Sequence, residues 1–194
     1  MESTAPMKST RYGWVAIGLH WLIALAILAL LAIGLAMTRM APGMTMFRLF
    51  QLHKSLGITV LALSGLRVLW RLGHRPPPLP AGTPPLEAFA AQGLHVLLYV
   101  LMLGLPLTGW ALVSTSAMHL PTVLYTVLPL PDLPLDRFGG RVLVNDLSQR
   151  LHDAGGWVML AAVGLHVAAA LFHQFIRRDE VMGHMAPWLA RRSK

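Results

Sequence analysis

The sequence predicts an all-α integral membrane protein, a four-helix bundle crossing the bilayer. Three observations carry that prediction. Only 12% of the 194 residues are charged, about half the usual share in soluble domains. The mean hydropathy is +0.58. Four apolar runs, each long enough to cross roughly 30 Å of hydrocarbon, alternate with charged or Pro-rich segments. The length suits a single transmembrane domain, residues 1–194, with little chain left over.

The first span covers about 14–37, preceded by Lys8 and Arg11. A signal-peptide core is only about 7–15 residues long, so this longer run, with no clear cleavage site after it, is expected to stay as a helix. The second covers about 51–72, with Arg67 near its far end. Residues 75–85 hold too many prolines for a helix and are expected to form a stiff loop. The third span covers about 87–113, with Pro106 as a candidate kink. Residues 114–150, with prolines at 121, 129, 131 and 134, are expected to form an irregular loop outside the hydrocarbon. The fourth span covers about 151–176 and a basic tail follows.

Charge and cysteine usage narrow the chemistry. The net charge is +8, but the basic residues flank the apolar spans and form no patch interleaved with aromatics. This argues against nucleic acid and makes membrane lipid the expected surroundings. Of the 16 Lys and Arg, ten lie in the N-terminus, the second loop and the tail, which predicts cytoplasmic termini. The chain has no cysteine, which excludes disulfides, thiolate metal sites, iron–sulfur clusters and covalently attached haem.

The chemistry-bearing residues are histidines inside the spans. His20, His53, His152 and His166 lie in apolar stretches, where an ionisable side chain is costly and marks a site. His152 and His166 are 14 residues apart, which is ~21 Å along a helix and within about 40° of one face. Two imidazoles on one stripe near opposite membrane surfaces suit two stacked haem irons better than one compact metal site. His53 and His152 fall at a similar outer depth. His20, His95 and His166 share an inner depth, so spacing leaves three candidates for two axial positions. Metal or proton transport would want carboxylates beside the histidines, and residues 14–37, 88–113 and 154–176 contain none.

Glycines repeat the spacing. Gly34 follows His20 by 14 residues and Gly109 follows His95 by 14, while Gly57, Gly155 and Gly156 lie near His53 and His152. They provide either clearance for a flat macrocycle or ordinary helix packing. Arg67 lies 14 residues after His53, where it either pairs with a haem propionate or snorkels to the surface. His173, seven residues after His166, binds a quinone, relays protons or sits among headgroups. His74, His119 and His184 fall in loops or flanks and read as surface residues. Trp14, Trp70, Trp110, Trp157 and Trp188 read as interfacial anchors.

Several motifs are similar to those of a known family. His20-Trp21, His53-Lys54-Ser55-Leu56-Gly57, Arg67-Val68-Leu69-Trp70-Arg71 and His95-Val96-Leu97-Leu98-Tyr99 resemble the bacterial cytochrome b561 family. So do Leu105-Pro106-Leu107-Thr108-Gly109, Leu151-His152-Asp153 and the run from Gly164 through His166 to His173. The similarity covers nearly the whole chain, in order. It implies an inner-membrane bundle with two haem b groups, held by His20 with His166 on the inner side and by His53 with His152 on the outer side. His95 and His173 would then neighbour the inner haem, where a ubiquinone site is implied.

Within that family, the resemblance extends to a superoxide:ubiquinone oxidoreductase branch. The expected activity is therefore electron transfer from superoxide, or another periplasmic donor, to ubiquinone. Arg39, Arg48 and Lys54 on the outer face would draw in an anionic donor. The alternative is a non-catalytic cytochrome b subunit shuttling electrons between the quinone pool and a separate redox partner.

Overall fold

The computed structural model describes residues 12–74, 76–77, 82–118, 120–135 and 140–189. Four helices dominate it: α1 (Trp14–Met37), α2 (Met44–Gly73), α3 (Pro85–Thr115) and α4 (Arg141–Leu171), the last continuing into a π-helical turn at Phe172–Arg177. All four are long and apolar enough to cross a membrane, so the predicted all-α membrane bundle is the observed fold. The consecutive pairs α1–α2, α2–α3 and α3–α4 pack closely, and the seam between α1 and α4 is looser.

The helix limits refine the sequence reading. α1 matches the first predicted span. α2 begins at Met44 instead of near residue 51, and α4 begins at Arg141 instead of near residue 151. Hydropathy marks where the hydrocarbon begins, whereas these two helices continue beyond it, back to a glycine at their N-terminal ends. Gly43 and Gly140 precede the two helices, and neither 44–50 nor 141–150 contains glycine or proline. α3 starts on Pro85, the position at which a missing N–H costs nothing. It also runs through Pro106 without a break.

The expected irregular loop at 114–150 therefore shrinks. It also contains an antiparallel hairpin of β1 (Thr122–Leu124) and β2 (Leu128–Leu130). Of the Pro-rich 75–85 segment, residues 76–77 and 82–84 are non-helical, while 75 and 78–81 lie outside the described residues. His119, Asp136 and the charged ends Lys8, Arg11, Arg191, Arg192 and Lys194 also lie outside them.

The buried core is a thin apolar layer at mid-bundle. Its centre is Ile23, Ile27, Val60, Met102 and Met159, flanked by Leu63, Leu98, Leu101, Leu105 and Val163. Ile27, Val60, Met102 and Met159 each follow a histidine by seven residues: His20, His53, His95 and His152. Seven residues are two turns, so each core side chain lies on its histidine's face, about 10 Å away. The layer thus falls between the two histidine levels. Most other large apolar side chains, such as Leu22, Leu25, Leu66, Val96 and Leu165, are exposed, as lipid-facing residues are in a membrane bundle.

Both ends of the bundle are tied down by irregular segments. The C-terminal stretch folds back across the start of α1 instead of trailing away. The Tyr12 N–H donates to the His184 carbonyl (3.4 Å), and Trp21 Nε1–H donates to the Met185 carbonyl (2.9 Å). The Trp21 and Trp188 rings lie 5.8 Å apart, and Ala186 is fully buried. Burial raises the pKa of the Tyr12 phenol, an effect that nearby Arg71 and Arg67 partly offset. Stability from this group is therefore present below the ordinary tyrosine range, near 10, and declines as pH rises above it.

At the opposite end, the hairpin turn places two non-glycine residues, Tyr125 (φ 49°) and Thr126 (φ 63°), in the left-handed region. Such positions cost of order 1–3 kcal/mol each and persist when their surroundings fix them. Here the Tyr125 N–H donates to Ser55 Oγ (3.0 Å), and the Tyr125 hydroxyl bonds Thr59 Oγ1 (2.7 Å).

Gly155 on α4 admits α3: a Cβ there would meet Leu105 Cδ2 at 2.6 Å, whereas one on Gly164 would meet nothing within 4 Å. Gly155→Val is expected to cost about 1–3 kcal/mol of stability and Gly164→Ala almost none, as read by thermal unfolding in detergent.

Candidate functional site

Five of the seven candidate residues form two clusters at the levels expected from the 14-residue spacing. In the outer cluster, the rings of His53 (α2) and His152 (α4) are 6.1 Å apart between centroids, at 74°. Both glycines on the predicted stripe sit here. A Cβ at Gly34 would stand 3.5 Å from His53 Cε1, and one at Gly109 would stand 3.0 Å from His152 Cε1. The glycines therefore make room first for the imidazoles.

His152 Nδ1 donates to the Leu105 carbonyl (3.1 Å), which also accepts the Thr108 hydroxyl (2.8 Å). A carbonyl can only accept, so the proton of a neutral ring sits on Nδ1 and leaves the Nε2 lone pair free. This is how metal-bound histidines are usually oriented. His53 Nδ1 is buried without a hydrogen bond of good geometry, beside the backbone of Leu30.

In the inner cluster, His20 (α1) and His166 (α4) have ring centroids 6.1 Å apart at 66°. His95 (α3) stands closer to His166, at 5.3 Å and 72°. Arg67 lies beside this cluster. Its Nε–H donates to the Tyr99 hydroxyl (3.0 Å) and Nη1 to the Ala16 carbonyl (3.3 Å). Both acceptors are neutral, and no carboxylate pairs with it among the described residues. One turn away, Ser64 is fully buried with its hydroxyl unpartnered. Arg71 stacks over the Tyr99 ring, 5.5 Å from its centre.

These features fit a flat metal-centred cofactor. An imidazole nitrogen bonds a first-row metal at about 2 Å, so two rings on opposite sides of one ion hold their centroids roughly 6 Å apart. Both the His53–His152 and the His20–His166 pairs have that separation, and the His95–His166 pair is tighter. No group of three or more His, Cys, Asp or Glu suited to a compact metal ion occurs among the described residues.

The family comparison agrees. A family model described as prokaryotic cytochrome b561 matches residues 11–188. The chain belongs to the prokaryotic cytochrome b561 family. Members bind haem b and carry electrons across a bacterial membrane. Among relatives, "Cytochrome b561 homolog 2" of Escherichia coli (strain K12) is 31% identical over 177 residues, covering 90% of both chains. "Cytochrome b561 homolog 1" of the same organism is 25% identical, over 91% of this chain and 97% of its own. "Probable superoxide oxidase CybB" of Yersinia pestis is 29% identical, over 91% of this chain and 96% of its own.

Not every expected site residue joins these clusters. His173 is instead held between carboxylates, with Asp179 Oδ2 2.6 Å from Nδ1 and Glu87 Oε1 3.3 Å from Nε2. Lys54, expected as a free outer cation, is only 9% exposed. It lies under the hairpin, donating to the Pro121 carbonyl (2.9 Å) with its ammonium 5.1 Å from the centre of the Phe50 ring. Its sequence position gave no sign of this, because the hairpin that covers it lies some 70 residues away. Sequence reasoning placed Tyr99 in a family-like motif but gave it no role; in the structure its hydroxyl is the acceptor that holds Arg67. His74, read as a surface residue, is exposed and stacks on Trp70 at 3.9 Å.

The two glycine contacts differ in tightness, which gives a test. Gly109→Ala is expected to displace the His152 ring by a few tenths of an ångström and lower the unfolding temperature. Gly34→Ala, with ordinary contact distances, is expected to leave it near wild type.

Proposed function

We propose that this protein is a di-haem b electron carrier that takes electrons from superoxide at the periplasmic face and delivers them to ubiquinone at the cytoplasmic side. The observation that carries the proposal is the pair of equal 6.1 Å histidine separations, at levels 14 residues apart along α4. In this reading His53 and His152 hold the outer haem, and His20 and His166 hold the inner one. The shorter His95–His166 separation favours His20 over His95 as the inner ligand and leaves His95 to border a quinone site. His173 belongs to the same inner end. Superoxide as donor rests on the printed name of the Yersinia relative at 29% identity. Cytoplasmic termini rest on the distribution of Lys and Arg.

Haem, when bound, supplies one-electron redox chemistry. The chain's own residues do the rest. The Leu105 carbonyl fixes the His152 tautomer and ring direction. Arg67, a guanidinium bonded to the neutral Tyr99 and Ala16 oxygens, offers its charge to a propionate. The Ile23, Ile27, Val60, Met102 and Met159 layer keeps water out of the space between the two levels. His53 with His152, and His20 with His166, would hold the haems, which would supply one-electron transfer.

The relatives named only as cytochrome b561 homologs favour a second reading, a cytochrome b subunit that passes electrons between the quinone pool and a separate redox partner. Quinone reduction by the isolated protein with superoxide would separate the two, since a subunit would need its partner.

Haem stoichiometry tests the core of the proposal. Pyridine haemochrome analysis of the purified protein is expected to give two haem b per chain. His53→Ala or His152→Ala should leave one, and His95→Ala should leave two. One haem in the wild type, or loss of a haem from the His95 variant, would refute the pairing. Superoxide oxidation is expected to slow with rising ionic strength through Arg39 and Arg48, because Lys54 is covered.

A further inference from the structure

The connection between α1 and α2 is crowded with sulfur. Four of the chain's 11 methionines, Met37, Met40, Met44 and Met46, fall within ten residues. The rest of α1 has none, and the next along the chain is Met102 on α3. Leucine, isoleucine and valine fill the apolar positions of both helices elsewhere, and leucine occupies nearly the same volume as methionine. What methionine adds is a soft, polarisable thioether that can ligate a metal.

The backbone brings three of the four together. Gly34 on α1 faces His53 on α2, since a Cβ on Gly34 would stand 3.5 Å from the imidazole. These two residues therefore mark one level and two facing sides. Beyond Gly34, α1 ends in a tight turn, with the Arg39 N–H donating to the Ala36 carbonyl (3.1 Å) and the Met40 N–H to the Met37 carbonyl (3.3 Å). Residues three apart eclipse in such a turn. Met37 and Met40 thus stand one above the other, within about 60° of the Gly34 direction, and Met40 is ~10 Å outward of that level. Met46 precedes His53 by seven residues, which puts it on the His53 face and also ~10 Å outward. Exposure follows this arrangement. Met37, Met40 and Met46 are half-buried, whereas Met44, two residues from Met46 and so turned away from it, is 67% exposed.

The donor set selects its ion. Residues 37–46 contain no Asp, Glu, His or Cys, so Mg²⁺ and Ca²⁺ find no carboxylate, and Zn²⁺ finds no imidazole or thiolate. Thioethers select Cu(I) and, by the same softness, Ag(I). Thioethers are also neutral, and Arg39 and Arg48 flank the three residues, both exposed to solvent. Those charges oppose a divalent ion twice as strongly as a monovalent one.

We propose that Met37, Met40 and Met46 form a three-thioether site for a soft monovalent metal ion, Cu(I), at the outer end of the bundle beyond the His53–His152 level. The site depends on neither the haem nor the quinone reading.

The test titrates the purified, haem-loaded protein in detergent with Ag(I), and with Cu(I) held anaerobically in competition with bicinchoninate. One ion per chain is expected to bind. Copper X-ray absorption should show sulfur neighbours at about 2.3 Å, the usual metal–sulfur distance. Because a thioether carries no proton to displace, affinity should be the same from about pH 5 to 7. Met40→Leu and Met46→Leu should keep the haem content and thermal stability of the wild type. Each should nevertheless weaken binding about tenfold or more, at least the effect of removing a group that only supports a ligand. Met44→Leu should bind as the wild type does. A wild type that takes up neither ion, nitrogen or oxygen neighbours around the copper, or unchanged affinity in both the Met40 and Met46 variants would overturn the site. A loss in Met44→Leu as large as in the other two would overturn the assignment to these three residues.

Discussion

Everything in this bundle follows from the absence of water around its helices. A polar or ionisable side chain in hydrocarbon must be met by another group inside the protein. The histidines obey this by facing one another across helices, His20 with His166 and His53 with His152. The Leu105 carbonyl accepts a hydrogen bond from His152 Nδ1, and the Tyr99 hydroxyl and Ala16 carbonyl accept from Arg67. Where the protein supplies only a partial answer, as with neutral partners for a guanidinium and an unpartnered Ser64 hydroxyl, the gap is chemically informative. Such gaps fit a bound group that brings its own charge and oxygens.

Helical periodicity turns that constraint into an architecture. Fourteen residues return to nearly the same face about 21 Å further on, so α4 can carry one histidine for each level. The seven-residue midpoint falls between the levels, and there the helices place Ile27, Val60, Met102 and Met159. The result is polar, apolar and polar again along a single stripe. α4 contributes to both histidine pairs, while the loose seam between α1 and α4 is bridged by the imidazoles instead of by tight backbone packing. Glycine occurs where that geometry brings a ring against a backbone, at Gly34 and Gly109.

The ends of the bundle, where water returns, are built differently. There the chain uses hydrogen-bonded irregular segments: a hairpin whose Tyr125–Thr126 turn is held by Ser55 and Thr59, and a C-terminal strap fixed to Trp21 and Tyr12. The hairpin also removes Lys54 from the solvent-facing surface. Charge counting along the sequence therefore overstates the positive field of the outer face. At the inner end, the π turn and the left-handed Arg178 bring Asp179 back onto His173. A straight helix would have carried Asp179 past it.

Much of this was legible in the amino-acid sequence. Long apolar runs can survive in a bilayer only as helices, so the four spans and the all-α fold were determined by composition. The 14-residue spacing likewise set the two histidine levels, because helical pitch is the same in every context. Which histidine meets which was beyond the reach of spacing. His20, His95 and His166 share a depth, and only the rotation and separation of three different helices make the His20–His166 distance 6.1 Å and the His95–His166 distance 5.3 Å. The cover over Lys54 and the Glu87–His173–Asp179 network were hidden for the same reason. A periodic pattern fixes the face and height of a residue on its own helix, but a contact with a residue as far away as Glu87 is from His173 depends on how whole helices and their connections pack in three dimensions.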